Sequence, residues 1–161
     1  VTHATPLIAF KETGETASFF SLMFGANTGS LGETCRITLI ITGIWLCVKR
    51  IANWRIPVAY LGSVFVISTI FSLMVGKAAA PPIFQLLSGG LIFAAFFMAT
   101  DPITTTYSQA GKWIFGIGCG LITVVIRNFT SIPEGIMYAI LLMNLLSVPI
   151  QSIILKIKYR T

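Results

Sequence analysis

The chain has 161 residues, 55% of them hydrophobic and only 10% charged, with a mean hydropathy of +0.88, against about 25% charged in an ordinary soluble domain. Its apolar residues come in blocks of roughly 15 to 20, the length that crosses a hydrocarbon layer ~30 Å thick, which excludes a soluble globular domain. The net charge of +6 is spread singly or in pairs between those blocks. That distribution excludes a nucleic-acid patch and makes the charge a topology signal.

Residues 1–16 form the first segment. The chain opens on Val1 with neither a basic n-region nor an apolar h-region, so it is expected to be a piece of a longer chain. In Thr2-His-Ala-Thr5-Pro-Leu-Ile, Thr5 before Pro6 reads as a helix N-cap followed by proline at N1. A helix N-terminus also attracts phosphate, so the same geometry suits either a plain cap or a phosphoester on the threonine hydroxyl. Residues 17–30 come next. Phe19, Phe20, Leu22, Met23 and Phe24 are apolar, but the run is too short to span before Gly25-Ala-Asn-Thr-Gly. It reads as a re-entrant segment or as an amphipathic surface helix.

Residues 31–161 carry five candidate spans. The first runs from about Arg36 to Val48 and closes on Lys49-Arg50. Ser30-Leu-Gly-Glu33 has capping-box spacing, which would start that helix near Leu31. The second runs from Pro57 to Val75, and the third from about Ile83 to Ala99. Asp101 before Pro102 suits another helix cap, and a polar interval extends from Thr104 to Gly111. The fourth span runs from Lys112 to about Ile126, with Gly116 and Gly120 at the i, i+4 spacing that lets two helix backbones approach. Ser131-Ile-Pro-Glu134 repeats the capping-box spacing, and the fifth span continues to about Leu155, before the tail Lys156 to Arg160.

Basic residues near the span ends divide unequally. Lys49, Arg50, Arg55, Lys112, Lys156, Lys158 and Arg160 fall on one side, and Arg36, Lys77 and Arg127 on the other, so the first side, with the C-terminus, is expected to be cytoplasmic. Thr5 would then be extracytoplasmic if residues 17–30 do not cross. Trp45, Trp54, Trp113, Tyr107 and Tyr159 gather toward the basic side, as an interfacial belt would. Asn144 lies mid-span, where its amide is expected to bond a neighbouring helix.

Side-chain chemistry is sparse. The one histidine is His3, the acids are Glu12, Glu15, Glu33, Asp101 and Glu134, and there is no catalytic triad, dinucleotide fingerprint or P-loop. Cys35 and Cys47 stand ~18 Å apart along one helix, too far to share a metal or a disulfide. With Cys119 they read as small packing residues. Any chemistry must therefore be a cofactor's.

Ala4-Thr5-Pro6-Leu7 resembles the RnfD and NqrB family of membrane subunits, in which a threonine is esterified to the phosphate of FMN. The resemblance extends through Gly29-Ser-Leu-Gly-Glu33-Thr34, Met98-Ala-Thr-Asp101-Pro102, Ile114-Phe-Gly-Ile-Gly-Cys-Gly120 and Pro133-Glu-Gly-Ile-Met-Tyr-Ala-Ile-Leu-Leu-Met-Asn144, nearly the whole chain. Thr2-His3 stands where the best-known flavinylation motif has Ser-Gly. The resemblance implies an all-α integral membrane protein, about five helices plus the short segment, similar to one half of a urea-transporter-like repeat.

It further implies the C-terminal half of a subunit of an ion-translocating oxidoreductase in the inner membrane. The subunit would carry covalent FMN on Thr5, with Ala4, Ser30 and Glu33 as further candidate flavin-site residues and riboflavin as a second candidate cofactor. Its partners would be the other subunits, including a flavin-bearing G subunit and iron–sulfur membrane subunits, together with membrane lipid. Electrons would pass through it, coupled to Na⁺ or H⁺ movement. A passive channel of urea-transporter-like fold is the alternative.

Overall fold

The computed structural model describes residues 36–75, 81–130 and 135–158. All their regular structure is helical: α1 (Arg36–Val48), α2 (Arg55–Val75), α3 (Pro82–Leu87), α4 (Leu91–Phe93) continuing into a π-turn (Ala94–Met98), α5 (Gln109–Phe129) and α6 (Ile136–Lys158). Among the described residues, three helices, α2, α5 and α6, are long and apolar enough to cross a membrane. At 21 residues, α2 and α5 are each about 31 Å long, matching a ~30 Å hydrocarbon core. The chain is an all-α, multi-pass membrane protein. Leu73, Met74, Leu141, Leu145 and Val148 are each at least 71% exposed, as side chains that face lipid tails are.

With lipid as apolar as leucine, association of these helices depends on close packing and buried hydrogen bonds. The α2–α5 pair uses both. Gly116 and Gly120 face α2 so closely that an added Cβ would lie 2.6 Å from the Ala59 Cβ and 1.9 Å from the Ser63 Oγ. The expected small-residue face is therefore real. Next to it, the Tyr60 and Thr123 hydroxyls lie 2.7 Å apart, and Thr123 also donates to the Cys119 carbonyl at 2.7 Å. Tyr60, Phe115, Cys119, Leu91 and Ala95 are fully buried in the core these helices share with α4 and the π-turn. Cys119 is thus a packing residue, as its sequence context suggests.

The third span departs from expectation. A continuous helix from about Ile83 to Ala99 is replaced by α3, a turn at Ser88–Gly90, and then α4 with its π-turn, closed by the Ala99 N–H on the Ala94 carbonyl at 2.7 Å. Gly89 adopts φ 67°, a left-handed conformation that glycine takes without steric cost. Six-residue α3 is about 9 Å long, so the break falls well short of the ~30 Å that a single crossing helix needs.

α1 ends in a Schellman motif: Arg50 N–H bonds the Cys47 carbonyl at 3.0 Å and Ile51 N–H the Leu46 carbonyl at 3.1 Å. The position that usually carries glycine holds Arg50, at φ 59°. α5 starts at Gln109, three residues before the expected Lys112, because the Ser108 hydroxyl accepts from the Gly111 N–H at 3.1 Å. Asp101, expected to cap a helix, instead closes a turn: it accepts from Ile103 N–H and the Thr104 hydroxyl, both at 3.2 Å, and the next helix begins only at Gln109.

Candidate functional site

Thr5, Ala4, Ser30 and Glu33 lie outside the described residues, as do the short segment 17–30 and the second capping box at Ser131. Within the described residues, two places concentrate polar groups.

The first is the helix break. In the hydrocarbon layer, backbone groups released by a break must find partners in the protein. Here α5 supplies them. Arg127, 3% exposed, donates from Nη1 to the Gln85 carbonyl at 2.6 Å and from Nη2 to the Ser88 carbonyl at 3.0 Å. These carbonyls lie at the C-terminal, electronegative end of α3, where a cation is favoured. Gln85 is itself held by the Ser68 hydroxyl, which donates to Oε1 at 3.0 Å. Ser68, Gln85, Ser88 and Arg127 therefore form one buried polar network joining α2, α3 and α5. A fixed cation already holds the two carbonyls, so the break is built as a closed joint. Among the described residues, no group of three metal-ligating side chains exists.

The second is the basic end. The C-terminus of α1 and the N-termini of α2 and α5 meet there around a cavity of about 620 Å³ lined by Arg50, Arg55, Lys112, Asn53, Thr106 and Tyr107, among others. Gln151 of α6 reaches the same end, its Oε1 accepting from the Ser108 N–H at 3.2 Å, which brings Lys156 and Lys158 to that side. The tryptophans gather there as the belt predicts: Trp54 and Trp113 pack edge-on at 6.3 Å, and Arg55 lies 5.3 Å from the Trp54 ring. At the opposite end, Arg36 and Arg127 are 4% and 3% exposed. Among the described residues, the cations of the basic end are exposed or half-buried, whereas those of the opposite end are buried.

In the sequence Arg127 reads only as a topology charge; the structure makes it the clamp of the break. Ser88-Gly89-Gly90 is the signal available for that break, a turn string inside an apolar run. For Asn144, the expected bond to a neighbouring helix is not formed among the described residues: Oδ1 is buried and without a partner there.

Comparison with known proteins covers the whole chain. Residues 1–160 match the NQR2, RnfD, RnfE family. The D subunit of the proton-translocating ferredoxin:NAD(+) oxidoreductase complex of Clostridium ljungdahlii is 37% identical over 171 residues, taking in 100% of this chain and 52% of that protein. The D subunit of the Na(+)-translocating ferredoxin:NAD(+) oxidoreductase complex of Acetobacterium woodii is 45% identical over 148 residues, 89% of this chain and 44% of the relative. The D subunit of the ion-translocating oxidoreductase complex of Stutzerimonas stutzeri is 40% identical over 122 residues, 76% and 34%. The chain spans about half the length of the curated relatives it matches. With helices of membrane-spanning length and a family match from end to end, the chain belongs to the NQR2, RnfD, RnfE family.

Proposed function

We propose that this chain is the C-terminal half of the D subunit of an Rnf-type ion-translocating oxidoreductase complex and carries FMN as a phosphoester on Thr5. The observation that carries the reading is its 37% and 45% identity to the D subunits of two ferredoxin:NAD(+) complexes. Ala4-Thr5-Pro6 adds a hydroxyl at a candidate helix start, where free amides favour a phosphate. Bound FMN would supply the electron-transfer chemistry that the side chains of this half do not offer. The chain's own helices would supply a sealed, low-dielectric scaffold.

In this reading the subunit works only within the complex, accepting electrons from a partner subunit's flavin while the complex moves Na⁺ or H⁺. The basic end faces the cytoplasm across the inner membrane, in line with the excess of basic residues there, and Thr5 lies on the far side. Ala4, Ser30 and Glu33 are the neighbouring candidates for the flavin site. The test is Thr5→Val in the full-length subunit, assembled in its complex. The substitution keeps shape and removes the hydroxyl, so covalent flavin fluorescence on a denaturing gel and electron flow should both disappear while assembly persists. Covalent fluorescence retained by Thr5→Val would reject Thr5 as the attachment point.

A further inference from the structure

Arg50, Arg55 and Lys112 are far apart in sequence, yet the fold brings all three to the wall of the cavity at the basic end. Among the described residues no carboxylate lines this cavity. Thr106, 2% exposed, contributes to the same wall, and its hydroxyl has no hydrogen-bond partner among those residues. Arg50 is held there in a left-handed conformation that favours glycine, so the charge is kept at a position where backbone preference opposes it. Three cations converging on one space without an acid fit an anionic occupant.

A second space narrows the choice. A groove of about 380 Å³ lies between α1 and α2, lined by Ile44, Val48, Pro57, Val58, Leu61 and Phe96, and it shares Cys47 and Trp54 with the basic cavity. Its walls are apolar. Val48 and Val58 are 73% and 51% exposed on what is the lipid side of a membrane protein. A charged cavity thus continues into an apolar groove, with an aromatic side chain at the junction.

We propose that these two spaces hold an anionic phospholipid, its phosphate among Arg50, Arg55 and Lys112 and one acyl chain in the groove between α1 and α2. A free phosphate compound would leave the groove empty. A zwitterionic lipid would bring an ammonium group against three cations. Basic pockets between membrane helices hold anionic headgroups in this way. The proposal does not depend on the flavin.

The test uses the intact complex with the full-length subunit, exchanged into detergent with phosphatidylglycerol or phosphatidylcholine, with retained lipid read by native mass spectrometry. Phosphatidylglycerol should be retained and phosphatidylcholine not, and Arg50→Gln with Lys112→Gln should lower that retention about tenfold or more. Arg50→Lys, which keeps the charge, should preserve it. Arg50→Gly removes the charge while easing the backbone, so it separates lost binding from lost folding. Val58→Trp fills the groove without touching a charge and should also release the lipid. Equal retention of phosphatidylcholine, no retention of either lipid, or undiminished phosphatidylglycerol in the double variant would overturn the proposal. So would undiminished retention by Val58→Trp. Displacement by millimolar inorganic phosphate would make the cavity a site for the free anion, and the lipid assignment would fall.

Discussion

Arg127 and Gln85, 42 residues apart, are joined by a 2.6 Å hydrogen bond from the guanidinium to the backbone carbonyl, and the same guanidinium holds Ser88. This clamp ties the helix break to α5. Removing it would take a charged donor from two buried carbonyls, each such bond contributing about 1.5 to 3 kcal/mol. Arg127→Met should therefore destabilise the protein by roughly 2 to 4 kcal/mol, measured by denaturant titration in detergent. Arg127→Lys, which keeps the charge but loses the fork, should recover only part of that. A wild-type midpoint in Arg127→Met would refute the clamp.

The α2–α5 contact predicts opposite responses at three glycines. Gly120→Ala and Gly116→Ala must push Ser63 or the Ile56 and Tyr60 carbonyls aside, which should cost about 1 to 3 kcal/mol each by overpacking. Gly62 has nothing within 4 Å of an added Cβ. Gly62→Ala should be neutral or stabilise α2 by up to about 1 kcal/mol, the helix-propensity difference. Thermal midpoints of the three variants decide it.

The Tyr60–Thr123 bond is open to a double-mutant cycle. Tyr60→Phe and Thr123→Val should each destabilise, with a coupling of about 0.6 kcal/mol, typical of interhelical hydrogen bonds in membranes. Additive effects would mean that the 2.7 Å contact contributes nothing of its own.

Much of this architecture is legible in the sequence. Hydropathy blocks locate α2, α5 and α6, and the i, i+4 glycines name the face of α5 that meets α2. Other features are hidden for physical reasons. The third apolar block looks continuous because apolar residues flank the break on both sides, so only Ser88-Gly89-Gly90 betrays it. The count of basic residues puts Arg50, Arg55 and Lys112 on one side but not around one cavity, because Arg50 and Arg55 meet Lys112 only when α2 and α5 pack. Ser108 is hard to recognise as a cap because Gln109, Ala110 and Gly111 after it lack the acidic residue of a capping box.

Arg50 makes a separate stability prediction. In the Schellman position, Arg50→Gly relieves a left-handed non-glycine residue and should stabilise the end of α1 by about 1 kcal/mol. Hydrogen exchange of the Val48–Ala52 amides would slow. Faster exchange would mean that the Arg50 side chain secures the turn.

The proposed orientation puts the basic end in the cytoplasm. Cysteines placed at Thr130 and Lys158, both exposed and at opposite ends of the helix array, should be labelled from opposite sides of the membrane, position 158 from the cytoplasm. Labelling of position 158 from outside would invert the topology.

FMN on Thr5 of this half-subunit is tested most directly by the mass of one peptide. Proteolysis of the native complex and mass spectrometry of the peptide Thr2 to Lys11 should give the peptide joined to FMN with loss of water, and fragmentation should leave the added mass on Thr5. An unmodified peptide at full occupancy, or the added mass on Thr2, would contradict it.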